Sequence, residues 1–395
     1  MNAIHKPSTI KVEKSKKPRR YDLDWLRVVA IAILLFYHVG MIYVSWDWHI
    51  KSARSSRWME VIMVFLHQWR MPLLFFISGA GTYFALSFRR SGIYVKERTQ
   101  RLFVPVVFSM LVIVPPQIYL ERLFKNIPGV APVTDYLSYY PRVFQFIPYP
   151  AGDFSWHHLW FVVYLFFYSL IALPLFLYWR SERSKALRAF FFQLMSRKGG
   201  ALLWLIPIAL GQLLLRPYFP DDTHSLIDDW ANFVFNLLFF VGGYLITSEE
   251  KIWPILSQQR RLYLYISLLL TAIFYWIYLT PAEQFPLLAM GVPYWGIIKT
   301  LLAWSTVMTT LAYGYTYIKQ SHPWLRPLNE AIYPFYILHQ TVIIIIAYYA
   351  VHWPISNEVG FVLVSTATFV ICAAIYLLLI RPFKISRFLF GMKVK

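Results

Sequence analysis

Of the 395 residues, 58% are hydrophobic and 19% aromatic, and only 14% are charged, where soluble domains carry about a quarter. That balance excludes an ordinary soluble globular chain. The formal net charge of +19 invites a nucleic-acid reading, which the placement of the charges excludes, and the single cysteine, Cys372, excludes a disulfide or a cysteine-built metal cluster.

The chain opens with the basic stretch "KVEKSKKPRR" over residues 11–20, part of an N-terminal tail read as 1–20. No cleavable leader is expected, because the first apolar run is too long and lacks a small-x-small site after it. Apolar runs of membrane length then recur, each near the ~20 residues that a helix needs to cross roughly 30 Å of hydrocarbon. Ten spans are predicted: Trp25–Trp46, Met59–Leu86, Leu102–Leu120, His158–Trp179, Ala201–Leu215, Trp230–Thr247, Leu262–Leu279, Tyr294–Tyr317, Ala331–His352 and Val359–Ile380. The fifth is short and interrupted by Pro207. The longest connection, Glu121 to His157, is rich in proline and aromatics and is expected to form a lid or re-entrant loop.

Orientation follows from the basic residues. The N-terminal tail, the even-numbered connections and the C-terminal tail hold 28 Lys and Arg, the other connections hold 7, and Arg27, Arg70 and Lys299 fall inside spans. Basic residues accumulate on the cytoplasmic side. The expectation is therefore an all-α integral membrane protein of about ten transmembrane helices with both termini cytoplasmic. Residues 21–385 form the membrane domain and 386–395 a cytoplasmic tail. The same charge attracts anionic lipid, so membrane lipids are expected partners and nucleic acid is not.

Ionisable residues inside apolar spans mark functional candidates. In the first span, Arg27 and His38 are eleven residues apart, which returns to within about 20° of the same helix face, roughly 16 Å along the axis. Arg27 is placed at the cytoplasmic edge, with Asp24 one turn before it, and His38 close to the bilayer centre. Arg70 in "HQWRMPLLFFISGAGTYF" lands near mid-membrane with His67 one turn away, and it must face a polar cavity or a partner. Gly79 and Gly81 are expected to permit close helix packing. In "YVKERTQRLFVP", Arg98 and Arg101 form a two-pronged cation suited to a diphosphate or a nucleotide phosphate. His157 and His158 in "SWHHLWF" point about 100° apart, too far to share a metal. His339 lies inside the ninth span, and Lys299 is expected to snorkel outward. No nucleotide-binding, dinucleotide-binding or zinc-binding motif is present, and no metal is expected.

The pieces "RYDLDWLRVVAIAILLFYH", "RMPLLFFISGAG", "KERTQRLFVP", "HLWFVVYLFFY" and "LNEAIYPFYILHQ", in this order, resemble the acyltransferase-3 membrane family. Two elements carry the likeness: Asp24, Arg27 and His38 in the first span, and the Arg98-x-x-Arg101 entry to the third. The wording of "RMPLLFFISG" and "HLWF" is similar to the glucan-biosynthesis branch, associated with succinylating periplasmic glucans. The acid of the W-S-L-x-x-E element found in the polysaccharide O-acetylating branch has no counterpart in "LWFVVYLF".

The resemblance implies an O-acyltransferase that takes succinyl or acetyl from cytoplasmic acyl-CoA to a hydroxyl of an exported carbohydrate or glycan. Arg98 and Arg101 would hold the coenzyme A phosphates, with Arg27 and Asp24 nearby. A continuous polar seam would lead to His38 as general base or acyl relay, with Arg70 stabilising the oxyanion and His158 and His339 contacting substrate. A bacterial cytoplasmic membrane is the expected location, with self-association left open. The rival class is a proton-coupled transporter or flippase for a lipid-linked or small acidic solute, which intramembrane charges suit equally well.

Overall fold

The computed structural model describes residues 19–125, 127–281, 284 and 294–394. Of the basic tail expected over 1–20, residues 1–18 lie outside the described residues. Among the described residues the fold is all-helical, with a single isolated bridge between Pro148 and Phe154.

In chain order, α1 (Tyr21–Gly40), α2 (Arg57–Phe88) and α3 (Ser91–Phe124) are long apolar helices. Two bent pairs follow: α4 (His157–Ile171) with α5 (Leu173–Arg180), at 46°, and α6 (Glu182–Ser196) with α7 (Gly200–Leu215), at 119°. Then come α8 (Trp230–Ser248), α9 (Arg260–Leu279), α10 (Tyr294–Tyr317), α11 (Leu325–Ala350) and α12 (Asn357–Ile380). Seven of these, α1 to α3, α8, α9, α11 and α12, are long and apolar enough to cross a membrane, and the number rises to nine if each bent pair is one span. The 24-residue α10 occupies the place of the eighth expected span. Only helices and closed barrels satisfy their backbone groups in lipid, and helices this apolar have no other solvent to suit them.

The centre is α2, and its contact with α8 is close because two glycines face two carbonyls. A Cβ on Gly79 would stand 1.9 Å from the Phe240 carbonyl oxygen, and one on Gly243 2.0 Å from the Phe76 carbonyl oxygen. Any side chain at either position would force the helices apart. Gly81 plays no part in this packing: the nearest atom to its Cβ position is Arg27 Nη2, 4.0 Å away.

Three local departures from the expected spans matter for function. First, α1 ends at Gly40 rather than running to Trp46, and residues 41–56 fold back as an irregular segment with Ile42, Val44 and Ile50 fully buried. Lys51 makes this tolerable. Its ammonium donates to the Met41 carbonyl at the C-cap of α1 at 2.8 Å and to the carbonyl of Val44 in the segment beyond it. Burial lowers this amine to about 8. His38 therefore lies in the last turn of α1, not midway along it. Second, the chain turns sharply between α6 and α7, where Gly199 N donates to Gln259 Oε1 at 2.7 Å, so the break precedes the fifth expected span instead of falling at Pro207. Third, the connection expected as a lid or re-entrant loop carries buried ion pairs of its own. Buried Asp153 accepts from Arg122 Nε at 3.1 Å and pairs with Arg142 Nε at 2.8 Å.

Candidate active site

Two cavities hold most of the polar residues picked out by the sequence. The first, an imidazole cavity of about 570 Å³, is lined by His38, His67, Arg70, His157, His158 and Gln340, together with Lys299 and the Arg216–Asp222 pair. Lys299 thus faces the interior space rather than snorkelling outward. Arg70 is buried, with its guanidinium 3.3 Å from the centre of the Tyr37 ring. Its Nε and Nη1 are buried without a hydrogen-bond partner, so two N–H groups of a fixed cation stand unpaired beside this cavity. In the 216–229 connection, burial holds the His224 imidazole down at about 4, so it is neutral at physiological pH. Burial works to raise the Asp222 carboxyl, but the Arg216 guanidinium at 2.8 Å prevails and keeps it low and anionic.

The imidazoles form a directed chain. His339 Nδ1 is 2.7 Å from the Tyr336 carbonyl oxygen. A carbonyl only accepts, so this nitrogen carries the proton, and in the neutral ring Nε2 is then an acceptor. His38 Nδ1 lies 2.7 Å from that Nε2 and must donate to it. The remaining nitrogen of His38, Nε2, keeps its lone pair, which is the form a general base needs. A backbone carbonyl thus sets the tautomer of His38 through one intervening imidazole. His158 is fixed similarly: its Nε2 donates to the Ile337 carbonyl at 3.0 Å, and its Nδ1 stands 3.4 Å from Gln117 Nε2. His158 lines the cavity, whereas His339, only 2% exposed, stands behind His38.

The second, arginine cavity measures about 810 Å³ and is lined by Arg27, Arg98 and Arg101. Around it are eight basic side chains against three acidic ones, an imbalance that calls for an anion. Asp24 pairs with Arg27 at 3.7 Å and with Arg19 at 2.7 Å. Arg98 donates to Thr82 Oγ1 at 3.0 Å and lies 4.9 Å from the Tyr94 ring centre. The helix carrying this pair changes to a π-helical turn at Thr99–Phe103, directly after Arg98, an irregularity frequent at functional sites.

The two cavities share no lining residue. On α1 the boundary falls between Ile31 and Tyr37, at buried Leu34; on α2 it falls between Pro72 and Leu74; on α4 it falls between Trp160 and Phe161. The continuous polar seam expected from Arg27 to His38 is thus interrupted by a thin apolar partition.

Sequence reasoning missed several residues here. Tyr37 under Arg70, Trp48 stacked 6.4 Å from His38, and the His49–Glu121 contact at 2.7 Å all come from tertiary packing. A usable signal existed for Glu121, an acid at the end of an apolar run.

An acyltransferase domain model matches residues 20–377, from the residue before α1 into α12, and so takes in the whole imidazole cavity and most of the arginine cavity. The chain belongs to the acyltransferase-3 family. Curated members similar to it include glucans biosynthesis protein C of Salmonella schwarzengrund (strain CVM19633) and of Salmonella typhimurium (strain LT2), each 26% identical over 246 residues. The protein of the same name from Salmonella paratyphi B is 25% identical over 246 residues. Each match covers 61% of this chain and 61% of the relative. No solved structure matches the chain. Family membership makes the chain an acyltransferase-family, multi-pass membrane protein, and within it Arg27, His38, Arg98 and Arg101 fall inside the matched residues.

Proposed function

We propose that this protein is an acyl-CoA-dependent O-acyltransferase of a bacterial cytoplasmic membrane, crossing it ten times with both termini cytoplasmic. It transfers succinyl or acetyl to a hydroxyl of an exported glucan or similar glycan. The observation that carries the reading is the convergence of Arg27, Arg98 and Arg101 on one cavity. Guanidinium groups in that number suit the phosphates of coenzyme A, each charge-assisted contact contributing roughly 1.5–3 kcal/mol. The excess of basic residues on the tail side supports a cytoplasmic mouth for that cavity.

In this reading the acceptor enters the imidazole cavity. His38 Nε2 takes the hydroxyl proton as the oxygen attacks the thioester carbonyl. The Arg70 guanidinium, whose Nε and Nη1 lack a hydrogen-bond partner, turns to stabilise the oxyanion, and the carbon–sulfur bond breaks as the coenzyme thiolate recovers the proton from His38. The donor arm reaches His38 only when the partition at Leu34, Leu74 and Phe161 opens. Labelled acyl-CoA supplied to the tail side of reconstituted vesicles, with glucan inside, should label the glucan. Transfer that survives an Arg98→Ala/Arg101→Ala double substitution unchanged would overturn the assignment of the donor site.

One observation favours a second reading. Two polar cavities separated by a thin apolar partition are also the geometry of a carrier with alternating access, for a lipid-linked or small acidic solute. Solute uptake by the same vesicles without acyl-CoA would establish that class instead.

A further inference from the structure

Apart from the proposed acyl-transfer residues, one cluster remains unexplained. We propose that His49, Glu121 and His157 form a binding site for a divalent transition metal of the zinc class. The three come from separate parts of the fold: the irregular segment after α1, the last turn of α3 and the first residue of α4. Their donor atoms all lie within 4.8 Å of one another.

The bland alternative is an ion-pair latch, since His49 Nδ1 already sits 2.7 Å from Glu121 Oε2 and Lys125 Nζ lies 3.3 Å from Glu121 Oε1. A latch accounts for His49 and Glu121 but not for His157. His157 Nε2 is buried without a hydrogen-bond partner, while Nδ1 is 2.6 Å from Ser155 Oγ. Buried imidazole nitrogens rarely go unpaired. Ser155 Oγ can accept from Nδ1–H as well as donate to Nδ1, and in the tautomer with Nδ1 protonated the stranded Nε2 is a lone pair, the form that binds metal. The backbone of His157 is also left-handed, with φ 41°, uncommon for a residue other than glycine, and its ring stacks on His49 at 4.9 Å.

Geometry and surroundings agree. A tetrahedral ion with bonds of roughly 2.0–2.2 Å holds its donors about 3.3–3.6 Å apart, so His49 and Glu121 would open by about 1 Å while His157 closes in. Glu121 is oriented by the Tyr149 hydroxyl, which donates to both carboxylate oxygens at 3.2 Å. His49 Nε2 faces the Gln340 side-chain amide at 3.3 Å, and rotating that amide offers an acceptor to the proton that moves to Nε2 when Nδ1 binds metal. Lys125 opposes a cation at this point, but it has Asp47 as a second partner at 2.8 Å. Two imidazoles and a carboxylate, with a fourth position left for water, suit zinc and its neighbours better than magnesium or calcium. An ion here would clasp three segments beside the imidazole cavity, which His157 lines.

The test uses the full chain in detergent, stripped with chelator and titrated with Zn²⁺ alone against a competing chromogenic chelator. Metal content is read independently of any acyl transfer, so failure of the proposed activity leaves the result interpretable. The wild-type chain should bind one ion. His157→Gln and Glu121→Gln should each weaken it more than about 100-fold, and Tyr149→Phe by roughly 10–100-fold. His352→Ala, an exposed histidine elsewhere, should have no effect. Should a ligand variant fail to melt cooperatively, Tyr149→Phe and the wild-type titration carry the test. A folded wild-type chain that binds no stoichiometric zinc, or binding undiminished by the ligand and Tyr149 variants, would overturn the site and leave the latch.

Discussion

The two cavities solve different problems with different chemistry. The arginine cavity is an excess of fixed positive charge, only partly offset by Asp24, Glu97 and Glu330, and it is suited to holding an anion of any detailed shape. The imidazole cavity is specified by hydrogen-bond direction instead: the Tyr336 carbonyl fixes His339, and His339 fixes His38. Charge selects and retains, whereas a set tautomer does chemistry. In the proposed reaction, keeping the two apart with Leu34 and its neighbours lets each be tuned without disturbing the other, at the cost of a gate that must open.

The contrast can be broken by substitution. The largest effect is expected from His38→Ala, which should lower kcat for acyl transfer roughly 10²–10⁴-fold while changing KM for acyl-CoA little. A KM effect of equal size would mean that His38 binds the donor rather than acting on the acceptor. Next, Arg98→Ala and Arg101→Ala should each raise KM for acyl-CoA roughly 10–100-fold and leave kcat nearly intact, the mirror image of His38→Ala. A loss of kcat alone would remove the division of labour between the cavities.

His339 sharpens the comparison. His339→Leu strands the proton on His38 Nδ1 and should reduce kcat roughly 10–100-fold. His339→Gln, whose amide oxygen still accepts, should recover most of it. Equal damage by both would argue for packing rather than tautomer control. The smallest effect concerns the partition. Leu34→Ala should lower stability by about 2 kcal/mol or more, read by chemical unfolding in detergent. It should also raise acyl-CoA hydrolysis in the absence of acceptor by a few-fold. An unchanged hydrolysis rate would place the barrier elsewhere.

Much of the arginine cavity was legible in the sequence. Asp24 and Arg27 are one helical turn apart, Arg98 and Arg101 likewise, and charges in or beside apolar runs stand out because lipid makes them costly. The imidazole cavity was only half legible. His38 and Arg70 announced themselves as ionisable residues in spans, but the contact that sets the tautomer of His38 joins residues 301 positions apart. His49 and Glu121 are 72 apart; His49 lies outside the apolar runs, where a polar residue draws no notice, and the acid at the end of the third run gave no sign of its partner. The end of the first span was placed too late because nothing in "HVGMIYVSW" shows that Lys51 caps the end of α1 from ten residues away.

The sequence by itself determined that this is a helical membrane chain, which way its charges are distributed, and where helical periodicity puts ionisable groups on one face, because those properties are local or additive along the chain. Only the tertiary structure decided that the arginines and the imidazoles line separate cavities instead of one seam, which imidazole nitrogen keeps a lone pair, and which helices touch through glycine. Those outcomes depend on the direction of hydrogen bonds and the distance between surfaces that meet only after the helices have packed.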